Sequence, residues 1–148
     1  LDQPQLMATA FRDDVQIIEE GLKLNNDIIG QGIILWRLLY SQVMHLERQH
    51  PHWIYTRHED LARDPVDGFR NLYNRLGLNY TNSTEYKILE FSGESNPTEA
   101  PRDAPGTIRR NSKATVDIWK RRLDREEILR IKEGVWEVAK HWYSEDDW

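Results

Sequence analysis

The sequence predicts an α/β fold that is mostly helical, and three observations carry that expectation. Residues 28–49 hold a broad apolar stripe of helical period. Residues 53–56, Trp53, Ile54, Tyr55 and Thr56, are strand formers in a run too short for a helix. Asp64 followed by Pro65 then opens a second amphipathic helix. Helix, short strand, helix is the order an α/β layer supplies. A single strand cannot stand alone, so its sheet partners are expected elsewhere, outside this chain.

Each element has a local reason. Phe11, Val15, Ile18 and Leu22 are spaced for one helix face within residues 1–24. Asn25, Asn26 and Asp27 mark a turn that also supplies an N-cap. In 28–49, Ile29, Trp36, Leu39, Val43 and Leu46 fall on one side, which predicts a buried helix. Pro51 ends it, because a residue before proline avoids the helical region. Asp64 is a capping carboxylate, and Pro65 sits where no N–H is needed. Val66, Phe69, Leu72, Tyr73 and Leu76 form the inner face of that helix, and Gly77 closes it. Residues 79–90 read as a polar turn and a short helix. Gly93, Pro97, Pro101, Pro105 and Gly106 make 92–107 an irregular loop, of a length usually functional or disordered. Asp124 and Glu127 have the spacing of a capping box, and Ile128, Ile131, Val135, Val138 and Trp142 follow as one apolar face.

The chain of 148 residues is long enough for one domain with a genuine core. No apolar run reaches the roughly 18 residues of a membrane span; the longest, IIGQGIILWRLLY, is broken by Gln31 and Arg37. The N-terminus lacks a basic start followed by an apolar stretch, so no signal peptide is expected. It also lacks an initiator Met and reads as cut from something longer. Zero cysteines exclude disulfides, thiolate zinc sites and a cysteine nucleophile, and fit a reducing, cytoplasmic setting. His45, His50, His52, His58 and His141 make no i, i+4 ligand pair, so no metal is expected. A net charge of −5 argues against a nucleic-acid partner. Asn79-Tyr-Thr and Asn82-Ser-Thr match the glycan-acceptor pattern, which a polar turn also produces by coincidence.

Two places stand out chemically. Residues 108–123, IRRNSKATVDIWKRRL, hold Arg109, Arg110, Lys113, Lys120, Arg121 and Arg122, with only Asp117 opposing them. Arg offers a planar fork to phosphate or carboxylate, Ser a hydroxyl and Lys a mobile charge. Arg109, Arg110, Ser112 and Lys113 are thus placed to wrap an anion, and equally to form a solvated, basic helix start. The second place is 56–61, at the expected strand end, where ligands of open α/β sheets sit. Its plainer reading is that Glu59 and Asp60 cap a turn while His58 packs.

Three motifs in one order then bring a resemblance. The passage WIYTRHEDLARDPVDGFRNLYNRLGL is similar to a signature of Tyr-Glu-Asp-Leu, Asp-Pro and Phe-Leu-Gly. SGESNP is similar to a segment ending in Asn-Pro before a mobile loop, and IRRNSKATVDIWKRRLDREEI to an Arg-Lys-Gly stretch followed by Trp-Lys and a closing helix. Nearly the whole chain, down to the ending WYSEDDW, resembles the C-terminal half of a bacterial sulfotransferase dependent on 3′-phosphoadenosine 5′-phosphosulfate (PAPS).

The resemblance implies a P-loop-like sulfotransferase fold of the α/β class. Residues 1–148 would be its mainly helical C-terminal portion with one or two short strands, the phosphosulfate-binding N-terminal half being absent. It implies sulfuryl transfer from PAPS to a hydroxyl or amine of a small-molecule or carbohydrate acceptor, without a metal. Arg109, Arg110, Ser112 and Lys113 would close on the nucleotide 3′-phosphate. His58 stands where the family has a Tyr that meets the adenine, and Ser92 lies in a segment that also approaches it. Asn111 and Ser112 replace the family's glycine, and Trp119 lies further on than in the cytosolic enzymes, so which arginine meets phosphate stays open. The groups that stabilise the transfer itself have no counterpart in this chain, and no residue specifies the acceptor. With the N-terminal half absent, pairing with another chain, including a homo-oligomer, is expected to cover the edge of 53–56 and one side of the long helix. The alternative is a non-catalytic, mostly helical interaction or scaffold domain whose basic loop meets an acidic partner.

Overall fold

The computed structural model describes Gln5, Thr9, residues 11–103 and residues 106–148. It is 64% helix, and no strand occurs among the described residues. The described helices are α1 (Val15–Lys23), α2 (Ile28–Gln49), α3 (His58–Arg63), α4 (Pro65–Arg75), α5 (Asn82–Ser92), α6 (Ser112–Thr115), α7 (Trp119–Arg122) and α8 (Arg125–Ala139). Short 3-10 turns cover Arg12–Asp14 and Glu145–Asp147.

The expected α/β fold, and with it the P-loop-like sulfotransferase architecture, is therefore corrected to an all-helical arrangement of the described residues. Residues 53–56 belong to no helix and no ladder. β-propensity reflects fit to a pleated surface, and without a second strand there is no surface to fit. His50 stacks on Trp53 at 4.2 Å, and Trp53 N–H donates to His50 O at 3.0 Å, so the chain turns here. His58 then begins a helix instead of ending a strand.

The described residues fall into two compact units. The first comprises Leu1–Trp53 with Leu123–Trp148. Within it, Asp27 caps α2 by accepting Gly30 N–H at 2.9 Å, and His50 N–H bonds Leu46 O before Pro51. The core is formed by Leu38, Val135 and Ala139, where α8 packs on α2. Gly134 makes that approach possible: a Cβ there would meet Ile33 Cγ2 at 2.8 Å. Beyond α8, Trp142 meets Tyr40 edge-on and donates Nε1–H to Glu47 at 3.0 Å, while Tyr40 stacks on Trp36.

The expectation of a buried α2 is also corrected. Leu39 is 50% exposed and Leu46 37%, and they share one face with the exposed Ile28 and Leu35. Gln31 and Gln42 flank these residues, and no charged side chain lies on that face. Helical periodicity shows which residues share a face. It does not show whether anything covers that face.

The second unit is Ile54–Arg122. Asp64 Oδ1 accepts Asp67 N–H at 3.3 Å and Pro65 occupies the first turn of α4. Gly77, at φ +66°, ends α4: its N–H bonds Asn74 O at 3.1 Å and Leu78 N–H bonds Tyr73 O at 2.8 Å. Thr81 and Thr84 cap α5 reciprocally. Arg70 clasps α4 to α5, pairing with Asp67 and with Glu85 at 2.9 Å under the Tyr80 ring. An open groove of about 550 Å³ lies between these helices, lined by Phe69, Tyr73, Ile88 and Phe91 among others. Ala62 of α3 and Val116 after α6 are buried, and α3 packs against α6.

Candidate anion site

The end of α5 organises the basic segment. Past Ser92 the chain turns, with Asn96 N–H on Gly93 O at 3.0 Å and Asn96 Nδ2 donating to Glu90 O at 3.0 Å. The returning segment is pinned to this turn by backbone bonds, Arg110 N–H to Phe91 O at 2.9 Å and Asn111 N–H to Pro97 O at 3.1 Å. Asn111 Nδ2 adds a bond to Glu94 O at 3.2 Å, while its Oδ1 caps α6 by accepting Ala114 N–H. The connection is irregular from Gly93 on, close to the expected 92–107, with Ser92 still in α5, and it leaves from and returns to one place; Ala104 and Pro105 lie outside the described residues.

Ser112 is the junction. Its hydroxyl lies 3.0 Å from Ala62 O and 3.2 Å from Ser92 O, so its single proton is shared between two helix ends. Ala62 is one turn beyond His58 on α3. The segments bearing His58, Ser92 and the 109–113 run therefore meet within one unit, although they are up to 50 residues apart in sequence.

The six cations of the run are sorted by three acids, of which Glu90 and Glu99 are distant in sequence and Asp117 lies within the run. Arg109 pairs with Glu90 and lies 5.6 Å over the Phe91 ring. Lys120 pairs with Asp117 at 3.3 Å, and Arg122 with Glu99 at 3.0 Å. Arg110, Lys113 and Arg121 have no ion pair among the described residues. Arg110 is half-buried and turns Nη1 onto Arg109 O at 2.6 Å. Lys113 is exposed, and so is His58. Ser92 Oγ donates to Ile88 O at 2.6 Å, which leaves its oxygen as an acceptor only.

In two of these pairs the cations favour the charged form of the carboxylate. Glu90 is held below the ordinary carboxylate range chiefly by the Lys87 ammonium at 2.6 Å, with Arg109 adding attraction. Glu99 is lowered by Arg122. Sequence reading missed Glu90, Asn96 and Asn111. Asn111 carried a signal, an Asn directly before a helix start; Glu90 carried none, because its partner is 19 residues away.

No family model, curated protein or solved structure matches the chain. Among the described residues no cluster of His, Asp and Glu could hold a metal ion. No described helix is long and apolar enough to cross a membrane.

Proposed function

We propose that Ile54–Arg122 binds the adenosine 3′,5′-bisphosphate portion of PAPS in a sulfotransferase acting on a hydroxyl or amine acceptor. The observation that carries the reading is the Ser112 junction, which joins the His58 helix, the Ser92 end of α5 and the basic segment in one unit. Arg110 and Lys113 are the phosphate ligands, because no carboxylate neutralises them. Ser112 holds the frame, and His58 offers a ring for the base. Bound PAPS supplies the sulfuryl group; this chain orients the nucleotide, and the bond exchange at sulfur is assigned to none of its residues.

Calorimetric titration of the chain with adenosine 3′,5′-bisphosphate, against AMP, tests this directly. Binding should require the 3′-phosphate, and Arg110→Ala should weaken it by about 1.5–3 kcal/mol, the range of a charged hydrogen bond. Equal binding of AMP, or unchanged affinity in the Arg110 variant, overturns the assignment. The uncharged, exposed face of α2 favours a second reading, a helical interaction domain. A folded chain indifferent to the 3′-phosphate would favour that one.

A further inference from the structure

Glu90 has a place in this site that the resemblance does not assign. Its carboxylate accepts from two cations, Lys87 at 2.6 Å one turn before it on α5 and Arg109 from the basic segment. The Glu90 side chain is only 20% exposed, whereas that of Arg109 is 51% exposed. The acid is thus the more enclosed partner and the arginine the more open one. Arg109 is adjacent to Arg110, whose guanidinium meets no acid, and three residues from Ser112. Swung away from Glu90, its fork would add a third cation to Arg110 and Lys113.

Resting on the reading of Arg110 and Lys113 as phosphate ligands, we propose that Glu90 is a built-in competitor for the phosphate. It parks Arg109 on α5, and a phosphate group recruits that arginine only by displacing the carboxylate. The exchange is favourable because an arginine–carboxylate pair whose arginine is half open to solvent is weak, while a guanidinium grips a phosphate with two charged hydrogen bonds. Lys87 remains on Glu90 after the exchange, so no buried charge is stranded. The device loosens the site without removing a ligand, which favours release of a spent nucleotide.

The consequence runs opposite to that of an ordinary structural ion pair. Neutralising Glu90 should tighten phosphate binding, whereas loss of a merely structural pair would leave it unchanged or weaken it. The test is calorimetric titration of wild type, Glu90→Gln, Arg109→Gln and the double variant with adenosine 3′,5′-bisphosphate, AMP and inorganic pyrophosphate. Glu90→Ala serves as a second neutral variant, and circular dichroism checks each for native helix content.

The expected result is roughly three- to fivefold tighter bisphosphate binding in Glu90→Gln, the worth of the pair that no longer competes. The gain should vanish in the double variant, because it acts through Arg109. Should wild type prefer bisphosphate to AMP while Glu90→Gln shows no gain, the competitor is overturned and the nucleotide reading stands. A gain that survives Arg109→Gln overturns it too, since removal of a negative charge would then explain everything. Should no chain prefer bisphosphate to AMP, the nucleotide reading fails, and the pyrophosphate series alone decides on Glu90. There a gain dependent on Arg109 supports the competitor, and no gain or no binding overturns it.

Discussion

At the scale of single residues, the division of labour between Arg109 and Arg110 shows where sequence reading stops. Two adjacent arginines are equivalent on paper; the structure pairs one with Glu90 and leaves the other without an acid. The choice is made by a carboxylate on another element, so no local pattern could announce it. Ser112 is similar in kind. Its type and position suggested a phosphate ligand, but its hydroxyl is engaged with Ala62 O and Ser92 O. Ser112→Ala removes the hydroxyl donor that joins Ala62 O and Ser92 O and should destabilise Ile54–Arg122 by about 1–2 kcal/mol, read from the urea midpoint. A stability equal to wild type would show that water replaces the hydroxyl without loss.

At the scale of elements, boundaries were legible because caps are local. Asp27, Asp64 and Asp124 cap α2, α4 and α8 as their side chains and spacing suggest. Gly77 closes α4 in the left-handed region, at φ +66°, with open space where a Cβ would stand. Gly77→Ala therefore meets no clash, and its whole effect is the backbone cost of placing an L residue there, about 1–2 kcal/mol. Thermal unfolding measures it; a neutral substitution would mean that the cap refolds into another turn. The run 53–56 failed at the same scale, because a strand is a relation between two segments and α3, unlike the capped helices, had no start signal strong enough to notice.

At the scale of the whole molecule, charge is unevenly shared between the two units. Ile54–Arg122 carries 12 Lys+Arg against 10 Asp+Glu, and the remaining residues carry 8 against 15, so the basic run lies in the net-positive unit. In the acidic unit, Asp27 is paired with Arg130 of α8 while capping α2. Its carboxyl lies below the ordinary 3.8, first through the Arg130 hydrogen bond and then through Gly30 N–H. A lowered acid stabilises the fold fully above its unfolded value and loses that contribution as pH falls through the folded one. Wild type should therefore lose thermal stability as pH drops below 3.8, and Arg130→Gln should lose less over the same interval. Salt should shrink the difference, since the pair is near the surface; parallel curves for the two proteins would remove Asp27 from the account. The sequence by itself determined the longer helices α1, α2, α4, α5 and α8 and the caps of α2, α4 and α8, because periodicity and capping act over a few residues. Tertiary structure alone decided that residues 53–56 form no strand, that Ile28, Leu35, Leu39 and Leu46 of α2 are exposed, and which cations of the basic run meet an acid among the described residues. The acids of Arg109 and Arg122 stand 19 and 23 residues away along the chain, and spacing along a sequence carries no record of such partners.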